Sequence, residues 1–169
     1  MIDVLINTCI DEDVFYYLKQ FYSKLKDVLL DKRGWSSKGY NFIFVSPSIF
    51  KLNNTVNKNK LKVNVRLTTN DTIAKECKFD KKKVLSCYNP NTNPADVLIN
   101  FERWMHGSEK SGLKLSDYRI YVINHEIGHA LGKMHVRKCT CPTCPVPVMM
   151  QQTLSIGECL PNPWPLDNE

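Results

Sequence analysis

Residues 125–135 read His125-Glu126-Ile127-Gly128-His129-Ala130-Leu131-Gly132-Lys133-Met134-His135. On a helix, positions four apart lie one above the other on one face. His125 and His129 therefore present two imidazoles to one point, and two such nitrogens hold one zinc ion. Glu126 follows His125 by about 100° of helical turn. Its carboxylate can reach a water bound to the zinc without being a ligand itself. Gly132 suits the left-handed turn that ends a helix, after which His135 comes round as a third ligand. Three neutral imidazoles and one open position make a catalytic site rather than a closed structural one. The motif uses three of the four histidines in the chain, His106 standing apart. Its five fixed positions set it above the HExxH that unrelated surface helices carry by chance.

The elements that must position these residues follow from hydrophobic periodicity. A helix is predicted from near Ser116 or Asp117 to about Leu131, with Ile120, Ile123, Ile127 and Ala130 as its core stripe and Gly132 ending it. A second helix is predicted over about Val14 to Leu30, capped by Asp11 or Asp13. Ile2–Thr8, Phe42–Val45, the alternating Leu61–Leu67 and Val97–Phe101 read as strands. Asn53–Asn59 reads as a polar loop. Beyond Cys139 the prolines at 142, 145, 147, 161, 163 and 165 predict an irregular end.

The chain has 169 residues, 43% hydrophobic and 24% charged, which fits one soluble domain over 1–169. No apolar run approaches the roughly 20 residues of a membrane span. The opening Met1–Asn7 lacks the basic and apolar regions of a signal peptide. The net charge is +6, but lysine, clustered only at Lys81–Lys83 and around Lys58, Lys60 and Lys62, greatly outnumbers arginine. Without arginines and aromatics interleaved on one face, this reads as a solvated surface and not as a nucleic-acid interface. Seven cysteines are many for this length. Cys77 and Cys87 bracket a stretch suited to a disulfide-closed loop. Cys139, Cys141 and Cys144 could pair with Cys159 or bind a metal through closely spaced thiolates. The odd count leaves a free thiol or an intermolecular bridge. Several disulfides would suit an oxidising, secreted-type environment, whereas the missing signal peptide points the other way. Asn53-Asn54-Thr55 and Asn70-Asp71-Thr72 are glycosylation sequons.

With its third histidine after Gly132, the zinc motif resembles that of the metzincin clan of zinc metallopeptidases. Those enzymes carry a methionine-containing turn beneath the metal. Pro147-Val148-Met149-Met150-Gln151-Gln152-Thr153 supplies one here, with Met149 the assigned methionine and Met150 the alternate. The likeness is closer to a bacterial domain family of unknown function, metzincin-like by motif. It rests on Tyr118–Glu126, Pro147–Thr153 and the final Asn162-Pro163-Trp164-Pro165. The strand Val97–Phe101, the Arg103-Trp104 pair and the positions of Cys77 and Cys87 add to it. It covers about residues 40–165 and departs from the pattern at Cys141 and Cys144.

The resemblance implies an α+β or α/β, metzincin-like zincin fold. A twisted mixed sheet, a backing helix over residues 14–30 and the active-site helix would form an upper subdomain, about 1–132. An irregular lower one would follow, about 133–169, with the zinc between them. It favours Cys77–Cys87 and Cys139–Cys159 as disulfides. In that clan a sheet-edge strand pairs with extended substrate, and Val97, Leu98, Ile99, Asn100 and Phe101, the last strand before the active-site helix, are the candidate, an ordinary internal strand being the alternative. The activity implied is that of a zinc endopeptidase. His125, His129 and His135 would hold Zn²⁺, Glu126 would act as general base, and Met149 would floor the site. The substrate would be a peptide or protein, the protein a monomer, and no nucleic acid would take part. The tyrosine that some metzincins place after the methionine turn is absent, so Gln151 or Gln152 is a candidate hydrogen-bond donor. Trp104 and His106 either line the cleft rim or pack and solvate. Hydrolysis of a non-protein amide, or a catalytically silent zinc-binding module, are the competing functions.

Overall fold

The structure is a computed structural model and describes residues 1–52, 60–80, 84–139 and 141–169. The loop expected over Asn53–Asn59, with its sequon and Lys58, and the Lys81–Lys83 cluster lie outside the described residues.

The chain is mixed α/β. Strand β1 (Ile2–Ile10) leads through a 3-10 segment (Glu12–Tyr17) into α1 (Leu18–Leu30), then to β2 (Tyr40–Phe44), α2 (Pro47–Leu52) and β3 (Lys60–Thr68). Helix α3 (Asn70–Glu76), β4 (Cys87–Asn89), β5 (Ala95–Asn100), α4 (Phe101–His106) and α5 (Leu115–Ala130) follow. The five strands form one mixed sheet in the order β2-β1-β3-β5-β4. All pairs are parallel except β4 with β5, in which Cys87 faces Leu98 and Asn89 faces Asp96.

Alternate strand residues decide what each face of the sheet meets. Val4 and Ile6, Val63, Val65 and Leu67, and Val97 and Ile99 point to the face covered by α1 and α5, and all are buried. Helix α1 meets them with Phe21, Leu25, Val28 and Leu29, a stripe at helical spacing. Each such side chain contributes roughly 1.5–3 kcal/mol on burial, so this layer is the foundation on which α5 rests. A smaller cluster of Ile73, Ala74, Val84, Cys87 and Leu98 lies on the other face, closed by the Cys77–Cys87 disulfide.

Three expectations are corrected. The first helix opens as a 3-10 segment, and Asp11 makes no side-chain cap. Its carboxylate accepts instead from the Thr68 and Thr72 hydroxyls, which tie it to β3 and α3. Val97–Phe101 is not a single strand, because Phe101 begins α4: the Asn100 side chain accepts from the Arg103 N–H at 2.9 Å and turns the chain into a helix. Nor is it the sheet edge, because β5 lies between β3 and β4. The edge on that side is β4, whose three residues are too few to show a strand period.

Candidate metal centre

Helix α5 is buried almost all round, from Tyr121 to Gly128 without a break. Such a helix belongs in an interior, and here it runs between the sheet layer and the irregular end of the chain. Gly128 permits the close approach on that side. A Cβ there would overlap the Met149 sulfur and stand 3.0 Å from the Trp35 ring.

The helix ends in a Schellman turn. Gly132, at φ +86°, donates to His129 O at 2.9 Å, and Lys133 donates to Gly128 O at 2.9 Å. This turn does two things for the site. It reverses the chain so that His135 returns toward the helix, where Val136 N–H bonds Met149 O at 3.1 Å. It also brings the Lys133 carbonyl back to the His129 ring, whose Nδ1 lies 2.9 Å away.

The three imidazoles converge. His135 Nε2 is 3.2 Å from His125 Nε2 and 2.9 Å from His129 Nε2. The three ligand atoms all lie within 4.8 Å of one another. His125 Nδ1 sits 2.8 Å from Val148 O. A carbonyl only accepts, so Nδ1 of His125 and of His129 must carry the proton. Each neutral ring then turns a bare Nε2 lone pair toward the common point. His135 can donate one proton at most, so three nitrogens at this spacing are not satisfied by one another. A tetrahedral zinc with bonds of about 2.0–2.1 Å would separate its nitrogens by about 3.3 Å, and the residues present fit a cation of that kind. Burial lowers all three pKa values, His125 to about 3 and the others in the same direction. The rings are therefore neutral at neutral pH, as ligands must be.

Glu126 is 5% exposed, and among the described residues no donor bonds its carboxylate. Burial alone pushes its pKa up to about 8. It lines a cleft of about 450 Å³ together with the three histidines, Tyr121, Val122, Phe79, Met134, Gln151 and the stretch from Leu85 to Tyr88 that leads into β4. A second cleft, about 540 Å³, lies beyond His135 and is lined by Arg137, Val136, Met150, Leu154 and Ser155. His129, Met134, His135 and Gln151 border both.

The turn carrying Met149 is buried beneath α5. The other residues that carry the resemblance stitch the irregular end to the helix. Asn124 Nδ2 donates to Pro163 O at 3.0 Å, and Trp35 Nε1 donates to Asn124 O at 2.9 Å. Gln152 is fully buried, its amide spent on Asn162 O at 2.7 Å and on the Asn162 N–H. It therefore does not face the cleft, and of the two candidate glutamines only Gln151 does. Disulfides join Cys139 to Cys159 and Cys141 to Cys144, so these four cysteines form no thiolate metal site, and Cys9 is the free thiol. Trp104 is fully buried against Phe21, and His106 pairs with Glu102 on the surface. Neither lines the cleft.

Tyr121 is the cleft residue that sequence reading passes over. Its ring lies 5.3 Å from that of His125 and its hydroxyl donates to Met150 O at 3.2 Å. The signal was present in the i, i+4, i+8 run of Tyr121, His125 and His129.

Residues 2–166 match the family described as protein of unknown function (DUF3152), and the chain belongs to that family. No curated protein and no solved structure matches it. Among the described residues no helix is long and apolar enough to cross a membrane.

Proposed function

We propose that this DUF3152 protein is a zinc-dependent endopeptidase of metzincin type. One observation carries the reading. A buried carboxylate with no partner among the described residues stands beside three converging imidazole nitrogens, two of them fixed as acceptors by carbonyls behind them. A silent zinc module gains nothing from such a carboxylate, whose burial is costly.

His125, His129 and His135 would hold the metal. When bound, zinc supplies Lewis acidity that acidifies a water and polarises a carbonyl. Glu126 takes the proton as the water oxygen bonds to the scissile carbonyl carbon, and returns it to the amine nitrogen as the C–N bond breaks. Its burial makes it a stronger base than a solvated carboxylate. The substrate-pairing edge is β4, which borders the first cleft and, among the described residues, has no strand on its outer side. An extended peptide adding there would run past the metal toward the second cleft. Clefts on both sides of His135 suit cleavage within a chain. Met149 floors the site as an apolar support.

The test is mass spectrometry of a diverse peptide library incubated with the zinc-loaded protein, with Glu126→Ala as control. Cuts made by the wild type and missing from the variant, which should still bind one zinc, are the expected result. Equal cutting by both would remove Glu126 from the mechanism. No cuts with one zinc bound would favour hydrolysis of a non-protein amide instead.

A further inference from the structure

We propose that Glu169 is a positioning residue for the metal centre, acting on His125 through the peptide unit between Val148 and Met149. The inference rests on the metal-site reading above but not on the reaction assigned to it.

Glu169 lies 44 positions from His125 in sequence, yet its carboxylate grips the turn that His125 leans on. Oε1 accepts from the Met149 N–H at 2.9 Å, and Oε2 accepts from the Val148 N–H at 3.0 Å and the Leu166 N–H at 2.8 Å. The Met149 N–H and the Val148 carbonyl are the two ends of one peptide plane. That carbonyl accepts the Nδ1 proton of His125 at 2.8 Å. The order is thus carboxylate, amide, imidazole, and then the bare Nε2 that faces the metal point.

Two physical consequences follow. An anion on the N–H end of an amide draws electron density toward its oxygen, because hydrogen bonds in a chain polarise one another. A more negative Val148 oxygen holds the Nδ1 proton more strongly and makes Nε2 a better donor to a cation. The bidentate grip also fixes the plane of this peptide, and so the ring plane of His125 and the seat of Met149 under Gly128. His129 leans on Lys133 O, whose own support is the helix-end turn. Glu169 gives His125 what that turn gives His129, with a full negative charge added.

The experiment compares the full-length wild type with Glu169→Gln, Glu169→Ala and Lys38→Ala. Zinc affinity is measured by competition with a chromophoric chelator, the melting temperature on the metal-free protein, and the visible spectrum on the Co²⁺ form. Glutamine keeps the shape and one acceptor but loses the charge. Lys38→Ala loosens the same chain end, where Lys38 bonds Asp167 at 3.0 Å, without touching Glu169. Expected for Glu169→Gln is a loss of roughly ten- to a hundred-fold in zinc affinity, with a shifted Co²⁺ spectrum and a smaller fall in melting temperature than in Glu169→Ala, because the amide keeps one acceptor where alanine keeps none. Glu169→Ala should lose at least as much, and Lys38→Ala should bind as the wild type does. Wild-type affinity and spectrum in Glu169→Gln would overturn the proposal, leaving Glu169 an anchor of the chain end. So would an equal loss in Lys38→Ala. Failure of the wild type to bind zinc would instead overturn the metal-site reading, and this inference with it.

Discussion

Helix α5 and the segment after it, residues 131–169, contribute to one site by different physical means. The helix sets His125 and His129 by its period, and its backbone bonds hold that spacing whatever the side chains around it do. The described residues of the later segment form no helix and no strand, only two isolated bridges. Its backbone groups are met singly: Val146 N–H and O by Leu160 and Asn162, Met150 O by Tyr121, Val148 and Met149 N–H by Glu169. Two disulfides close what no ladder holds. The comparison teaches that the histidine pair is robust because it is periodic. His135, Met149 and the carbonyl behind His125 are held by individual bonds, each of which can be lost alone.

Substitutions in the two regions should differ in effect. The largest effect is expected on the helix side, where His129→Ala removes a ligand. Zinc affinity should fall by more than the roughly 10–100-fold that outer partners carry, which chelator competition would read.

On the irregular side, Cys139→Ser with Cys159→Ser opens a loop with a sequence separation of 20. The expected cost is about 3 kcal/mol in denaturant unfolding, with weakened zinc binding and a retained far-UV helix signal. Loss of the helix signal at the same denaturant concentration would mean that the two regions do not separate.

Glu126→Gln should stabilise the metal-free protein. Its folded pKa of about 8 lies above the ordinary 4.5, so folding favours the protonated form. Its contribution is present in full below the unfolded value and is lost as pH rises toward 8. The advantage of the variant should therefore grow across that window, to on the order of 2–3 kcal/mol near pH 7. Melting curves at pH 5, 7 and 8 would check the trend, and a constant difference would refute it.

Gly128→Ala, which drives a methyl group into Met149, should cost about 1–3 kcal/mol. Asn162→Ala, which frees the Val146 and Trp164 carbonyls, should cost roughly 1–2 kcal/mol. Both are measurable by urea titration. A negligible loss from Asn162→Ala would mean that the irregular segment does not depend on these single bonds, contrary to the comparison.

Much of this was legible in the residues. The strands β1, β2 and β3 and both long helices follow from hydrophobic period, and the ends of α5 agree within about a residue. What escaped has a common cause. Strand β4 is only three residues long. The 3-10 opening of α1 reflects partners that Asp11 finds in β3 and α3, far off in sequence. The place of β5 inside the sheet is a matter of which strands flank it. The free choice among Cys139, Cys141, Cys144 and Cys159 closed only when folding set Cys139 beside Cys159 and Cys141 beside Cys144.

The spacing of His125 and His129 was enough to set both on one face of a helix, and Gly132 marked where the chain could turn to bring His135 back to them. The sequence by itself also placed Glu126 as the carboxylate next to them. Only the tertiary structure decided which ring nitrogens face the common point, since that depends on the Val148 and Lys133 carbonyls behind the rings. It alone decided that β4 borders the cleft, that Gln152 is spent on Asn162, and that Glu169 closes on the turn from the far end of the chain. Local periodicity is a property of neighbours in sequence and can be read there. A hydrogen bond between distant residues exists only once the packed core has brought them together.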